Sequence, residues 1–172
     1  SIFDGLAIYA TLVDHQAKVT SHVDGIAASI ASVIAMAGDQ VVMAENAFLM
    51  IHNPWCFAMG DEVELRKVAD DLAKLKPSLV RAYQRHSALS VEELTAKMDA
   101  ETWFDADEAI AAGLAHEKKG ALAIAASLNL SMFDQVPGRV AAFGRDRSEA
   151  LAAAAEASRR RAELGECGDL VL

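Results

Sequence analysis

The chain has 172 residues, enough for one domain with a sizeable hydrophobic core. Its formal net charge of −9 argues against sequence-independent binding to nucleic acid or to an anionic membrane surface. Two cysteines, Cys56 and Cys167, are too few and too far apart for a disulfide framework or a metal motif, so we expect a reducing compartment. No apolar run reaches the roughly 18 residues that span a bilayer, and the first residues lack the basic region of a signal peptide. We therefore expect a cytoplasmic protein with no membrane or nucleic-acid partner.

The first part of the sequence alternates short strands with helices, which predicts an α/β fold. Apolar residues at helical spacing begin at residue 2, so we expect a helix there and further chain upstream of it. Alternating residues predict a strand over 19–23, and small residues then predict a helix from about Ala28 to Ala37. Two more short strands are predicted at Val41–Met43 and Phe48–Ile51.

The second part is predicted to contain more helix. A long amphipathic helix follows Gly60, and the capping-box sequence "SVEEL" opens a shorter helix after Ser90. A third helix over "ADEAIAAGL" ends at Gly113, before a last strand at about Leu114–Glu117. From about residue 120 a loosely apolar connector leads to an alanine-rich helical tail. We therefore divide the chain into a globular domain, residues 1–120, and a connector with a C-terminal helical tail, residues 121–172.

Ser29 is the first candidate for chemistry. It follows a Gly-x-Ala-Ala turn near the expected start of a helix, where unpaired N–H groups lie beside its hydroxyl group. A serine in that position can act as a nucleophile whose oxyanion is bound by neighbouring amides. It can equally serve as a helix N-cap inside a close helix contact, and its position alone does not decide between the two roles.

His52 is the second candidate, because it ends an apolar strand at the rim of the expected sheet. An imidazole has a suitable pKa to take a proton from a serine, although a strand-end histidine can also be satisfied by solvent or backbone. A catalytic triad needs a carboxylate as its third member. The stretch "MDAETWFDADEA" offers four carboxylates, and composition does not choose among them: Asp99, Glu101, Asp105 and Asp107.

Four stretches occur in a consistent order and spacing: "DGIAASIASVIAMAG", "AENAFLMIHNP", the long helix after Gly60 and "AETWFDADEAIAAGL". Together they resemble the ClpP family of self-compartmentalised serine peptidases over about residues 2–120. They are most similar to the ClpP-like head-maturation proteases of tailed phages and prophages. The resemblance implies an α/β fold of the ClpP/crotonase type, a spiral of β-β-α units with a protruding helical region that mediates oligomerisation.

The resemblance also implies roles for individual residues. The family's nucleophile falls on Ser29, its general base on His52, and its acid on Glu101, where housekeeping ClpP has an aspartate. Asp99 is the fallback for the acid. The backbone N–H of Ile30 would be one oxyanion donor. The Gly-Gly turn that supplies the other donor in the family is absent from this sequence, so we expect it in a longer protein.

The function implied by the resemblance is that of an ATP-independent serine endopeptidase that needs no cofactor and no metal. Its partners would be polypeptide substrates, further copies of itself in a ring, and capsid or scaffold proteins during phage head assembly in the bacterial cytoplasm. Two rivals remain: a crotonase-like acyl-CoA enzyme on the same superfamily fold, and a catalytically silent assembly or scaffold module. Only the peptidase has an activated serine that a fluorophosphonate would label.

Overall fold

A computed structural model describes residues 2–122 and 133–141. The chain divides into two compact units, the first formed by Ser1–Ala126 with Phe133–Gln135 and the second by Ser127–Met132 with Val136–Leu172. Of the second unit, residues 136–141 are described, and they end in a helical stretch from residue 138 to residue 141. The alanine-rich tail lies outside the described residues. In the part of the chain that is described, no helix is both long and apolar enough to cross a membrane.

The first unit is a mixed α/β structure, as predicted. Its described elements follow one another in this order: α1 (Ile2–Val13), β1 (Thr20–Val23), β2 (Ile26–Ala28), α2 (Ile30–Ala35), β3 (Gln40–Ala44), β4 (Phe48–Ile51), α3 (Glu62–Gln84), α4 (Val91–Asp99), β5 (Thr102–Phe104), α5 (Ala106–Ala111) and β6 (Glu117–Lys119). Helices therefore separate most of the strands that pair with each other, as a largely parallel arrangement requires.

The strands form two three-stranded sheets. The first sheet is parallel throughout, in the order β1-β3-β6, and its central strand β3 is buried except at Gln40. The second sheet has the order β2-β4-β5, with β2 parallel and β5 antiparallel to the central strand β4. Every residue of β4 is buried. Continuous apolar strands of this kind are typical of sheets covered on both faces, so β3 and β4 form the centre of the core.

Helix α2 consists of small and aliphatic residues because another helix lies close to it. Gly5 of α1 is buried, and a Cβ atom built there would come within 1.9 Å of Cγ1 of Ile30. A larger side chain at residue 5 would therefore displace Ile30, the first residue of α2. This close contact gives a packing reason for a glycine inside an otherwise apolar helix.

The two ends of α3 differ in their surroundings. Its last turns bury Leu79 and Tyr83 in the core of the first unit. Its first turns are exposed, with Val63 at 70%, and so are two apolar residues that precede the helix: Phe57 is 93% exposed and Met59 is 100% exposed. The helix is thus anchored at its C-terminal end and presents apolar surface around its start.

The structure corrects three details of the sequence analysis. The predicted start of the small-residue helix at Ala28 is wrong, because Ala28 ends β2 and the helix covers only Ile30–Ala35. The last strand lies at Glu117–Lys119 instead of 114–117. Strands β2 and β5 have no counterpart in the prediction, since three residues are too few to show an alternation.

Candidate active site

Three polar side chains belong to one edge of the second sheet. Ser29 directly follows β2 and His52 directly follows β4, and the carboxyl ends of these parallel strands share that edge. Strand β5 runs the opposite way, with Thr102 paired to Ile51, so Glu101 precedes it at the same edge. The register alone therefore brings the residue before β5 beside the residue after β4.

The backbone of Ser29 has φ 58° and ψ −128°, a conformation that non-glycine residues rarely adopt. Its N–H donates to the Met50 carbonyl at 3.1 Å, and its own carbonyl accepts from the N–H of Ser32 at 3.0 Å. The Ser29 side chain makes no cap hydrogen bond to α2, which contradicts the N-cap interpretation. Instead, Oγ lies 2.7 Å from Nε2 of His52. A strained strand-to-helix turn that presents a serine hydroxyl group is typical of nucleophilic serines in α/β hydrolases.

The imidazole of His52 is half-buried, and this burial lowers the pKa of His52 below its usual value. The negative charge of Glu101 raises the same pKa and is the smaller of the two influences. A neutral histidine protonated on Nδ1 can accept the Ser29 proton through Nε2. The electrostatics of the site therefore favour the form of His52 that serves as a base near neutral pH.

Of the four candidate carboxylates, Glu101 is the one whose charge acts on His52. The Glu101 backbone is left-handed, with φ 48°. Its Oε1 accepts from the N–H of Gln135 at 2.8 Å and lies 3.5 Å from the indole Nε1 of Trp103. Within the described residues no hydrogen bond joins Glu101 to His52, so their coupling in this conformation is electrostatic.

The other three carboxylates have different partners. Asp99 forms an ion pair with Lys76 and accepts from Nδ2 of Asn53 at 2.7 Å, and these contacts lower the pKa of Asp99. Asp105 caps helix α5 through its side chain, and Asp107 pairs with a lysine of β6. The three carboxylates are thus engaged with partners other than the imidazole, and Glu101 remains the candidate whose charge acts on His52.

The serine and histidine open into a cleft of about 240 Å³. Its walls come from α1, α2, the segment after β4 and the last turns of α3. Ile30 lines the cleft as the first residue of α2, so its N–H has no acceptor within the helix and is available to a bound group. Among the described residues no cluster of histidine, cysteine and acidic side chains could hold a metal ion.

A chain of hydrogen bonds holds the Ser29 backbone, and no motif in the sequence indicates it. Ser32 Oγ donates to the Ser29 carbonyl at 2.6 Å and lies 2.8 Å from the Tyr83 hydroxyl group. Because the single hydroxyl hydrogen of Ser32 serves that carbonyl, Tyr83 is the donor to Ser32. Burial raises the pKa of Tyr83, so its phenol keeps the proton. No sequence pattern links two residues 51 positions apart.

Residues Phe133–Gln135 of the expected connector also reach the site. The Phe133 ring lies edge-on to the rings of His52 and Trp103, with centroid distances of 5.7 Å and 5.8 Å. The sequence predicts no role for these residues, because the segment around them shows neither a helical nor a strand period.

The sequence model of the Clp protease family matches residues 1–117, which is more than half of the chain. The chain belongs to the Clp protease family. It is 33% identical over 115 residues to the ATP-dependent Clp protease proteolytic subunit of Deinococcus radiodurans, covering 66% of this chain and 56% of that protein. It is 32% identical over 119 residues to the subunit of the same name from Bacteroides fragilis, covering 68% of this chain and 58% of that protein. The chain thus spans little more than half the length of these relatives.

Membership in the Clp protease family confirms the family predicted from the sequence motifs, and the mixed α/β architecture fits it. The matched range includes Ser29, His52 and Glu101. Phe133–Gln135 lies beyond the matched range and adds contacts to His52, Trp103 and Glu101.

Proposed function

We propose that this protein is a serine endopeptidase in which Ser29 is the nucleophile, His52 the general base and Glu101 the acid that orients His52. The observation that carries the proposal is the 2.7 Å contact between Ser29 Oγ and His52 Nε2 at a strained strand-to-helix turn. Membership in the Clp protease family supports it, since the matched relatives are named as proteolytic subunits.

In the proposed reaction, Ser29 Oγ bonds to the carbonyl carbon of the substrate peptide while its proton moves to His52 Nε2. The carbonyl oxygen becomes an oxyanion and accepts a hydrogen bond from the Ile30 N–H. His52 then gives the proton to the leaving amine, and the carbon–nitrogen bond breaks to leave an acyl-enzyme. Water hydrolyses the ester by the reverse sequence of proton transfers. The Glu101 carboxylate stabilises the imidazolium that forms in each half of the reaction.

The proposed partners are a polypeptide substrate and further copies of the chain in a homo-oligomeric ring. The exposed apolar residues around the start of α3 support the ring, because an apolar surface of this kind is typical of subunit contacts: Phe57, Met59 and Val63. The observed element order β1-β2-α2 followed by β3-β4-α3 supports a spiral of β-β-α units as its subunit fold.

The proposed substrates are capsid or scaffold proteins, cleaved without ATP during phage head assembly in the bacterial cytoplasm. This part of the proposal rests on the similarity of the quoted motifs to head-maturation proteases. The matched relatives carry a different name, that of an ATP-dependent subunit. Independence from ATP is therefore the proposed difference between this chain and those subunits.

A cleavage assay with a fluorescently labelled unfolded protein tests the proposal. We expect internal cleavage in the absence of nucleotide, no acceleration by ATP, and no cleavage by Ser29→Ala. A tenth or more of the original rate in Ser29→Ala would contradict the role of Ser29, because loss of a nucleophile costs several orders of magnitude. If the protein assembles into rings but cleaves nothing, it is a catalytically silent assembly module.

A further inference from the structure

Phe133–Gln135 contacts the candidate catalytic residues from the side of β5. The Phe133 ring, itself half-buried, meets the His52 ring at 5.7 Å and an interplanar angle of 67°. It meets the Trp103 ring at 5.8 Å and 87°. Two residues further on, the Gln135 N–H donates to Glu101 Oε1 at 2.8 Å. One short segment therefore contacts both the base and the acid.

We propose that Phe133 and Gln135 are positioning residues of the active site, with the Gln135 N–H orienting the Glu101 carboxylate and the Phe133 ring shielding His52 from water. The proposal rests on the function proposed above. It extends the site to residues that lie outside the range matched to the Clp protease family, which ends at residue 117.

The acid of this site needs a positioning contact more than an aspartate would. Glutamate has one more rotatable bond than aspartate, and a carboxylate without fixed partners samples several orientations. Two donors approach the Glu101 carboxylate, the Gln135 N–H and, at a longer distance, the Trp103 indole N–H. Both contact the same oxygen, Oε1. This arrangement leaves Oε2 outside the contacts of both donors, while the Glu101 charge acts on His52.

Shielding from water affects the protonation state of the base. Burial is the largest influence on the pKa of His52 and lowers it, which keeps the imidazole neutral. The described walls of the cleft include Ser29, His52 and Trp55 but none of Phe133–Gln135. The Phe133 ring thus contacts the His52 ring without forming a wall of the cleft.

Two matched pairs of variants test the proposal. Gln135→Pro removes the N–H that binds Glu101, whereas Gln135→Ala keeps it. We expect kcat to fall roughly 10- to 100-fold in Gln135→Pro with little change in KM, because misorientation of a catalytic group slows the chemical step. Gln135→Ala should stay within about twofold of the original kcat, since it retains the backbone donor. Equal kcat values in the two variants would overturn the role of Gln135.

The second pair is Phe133→Ala, which opens the space beside His52, and Phe133→Leu, which keeps it apolar. NMR titration of the His52 imidazole should show a higher midpoint in Phe133→Ala, shifted toward the ordinary value of about 6.5, and a smaller shift in Phe133→Leu. An unchanged midpoint in Phe133→Ala would overturn the shielding role. This titration needs no turnover, so it decides the positioning role even if fluorophosphonate labelling of the original protein fails and the proposed function with it.

Discussion

The two sheets of the first unit are equal in strand number but differ in what lies at their edges. In the first sheet, Asp24 follows β1 and forms an ion pair of 2.6 Å with Lys119 at the end of β6. In the second sheet, Ser29 follows β2 and His52 follows β4, and Ser29 Oγ lies 2.7 Å from His52 Nε2. The same end of the strands therefore holds an ion pair with an exposed Asp24 in the first sheet, and a half-buried serine and histidine in hydrogen-bond contact in the second.

Two properties therefore decide whether the edge of a sheet can hold a reactive group: the directions of its strands and the burial of its side chains. An exposed ion pair contributes little to the free energy of unfolding, and each of its charged groups is already occupied by the other. Because β5 is antiparallel, the residue before it, Glu101, joins the edge of the second sheet. In the all-parallel first sheet, the corresponding edge is formed only by residues at the carboxyl ends of the strands. Partial burial of His52 then lowers its pKa and keeps it available as a base.

The largest expected effect compares serines of the two sheets. Ser29→Ala should lower kcat by several orders of magnitude, because it removes the nucleophile. Ser21→Ala, in strand β1 of the first sheet, should stay within about twofold. Both variants should keep the circular dichroism spectrum and the thermal transition of the original protein. Comparable losses of kcat in the two variants would contradict a functional difference between the two sheets.

The second effect separates two acids that are two residues apart. Glu101→Gln should lower kcat by about 10²- to 10⁴-fold, since the uncharged amide no longer stabilises the His52 imidazolium. Asp99→Asn should change kcat by less than about twofold, because Asp99 is engaged with Lys76 and Asn53. A reversed order of the two effects would assign the acid to Asp99.

The third effect concerns the hydrogen bonds of Ser32 and Tyr83 that hold the Ser29 turn. Tyr83→Phe removes the donor to Ser32 and should lower the free energy of unfolding by about 1 kcal/mol, measured by urea titration. The matched control is Tyr9→Phe on α1, for which no hydroxyl hydrogen bond is found among the described residues. Equal stabilities of the two variants would show that the hydrogen-bond chain does not brace the Ser29 turn.

The smallest effect is a shift in the pH dependence of kcat/KM. Activity requires neutral His52, so it should fall as the pH decreases through the pKa of His52 in the folded protein. Because burial lowers that pKa, the acidic midpoint should lie below about 6.5. In Glu101→Gln the midpoint should decrease further, since the carboxylate that raises the pKa is lost. His22→Ala in β1 should leave it unchanged, and a midpoint above 6.5 would contradict the account.

Sequence patterns predicted the first sheet better than the second. Strands β1 and β3 and the helices α1, α3, α4 and α5 have readable periods or caps, and the structure confirms that they exist. In the second sheet only β4 is readable. Strands β2 and β5 have three residues each, and they form because β4 offers paired backbone partners on both sides.

The residues of the candidate site also differ in whether the sequence predicts them. Ser29 and His52 lie in motifs that could be found in the sequence, and the structure brings their side chains together. Composition does not choose among the four carboxylates, and Glu101 is predicted only through the resemblance to the ClpP family. The register of β5 places Glu101 beside the residue after β4, and no local sequence pattern contains that register. The contacts of Ser32 with Tyr83 are also long-range, and they form only after the helices pack.

Labelling with a fluorophosphonate, followed by mass-spectrometric mapping of the modified residue, tests the central claim most directly. The claim is that the edge of the second sheet holds an activated serine. We predict one modified residue, Ser29, with labelling lost in His52→Ala because the base no longer accepts the hydroxyl proton. Labelling of another serine, labelling of Ser29 that persists in His52→Ala, or no labelling of the folded protein would contradict the claim.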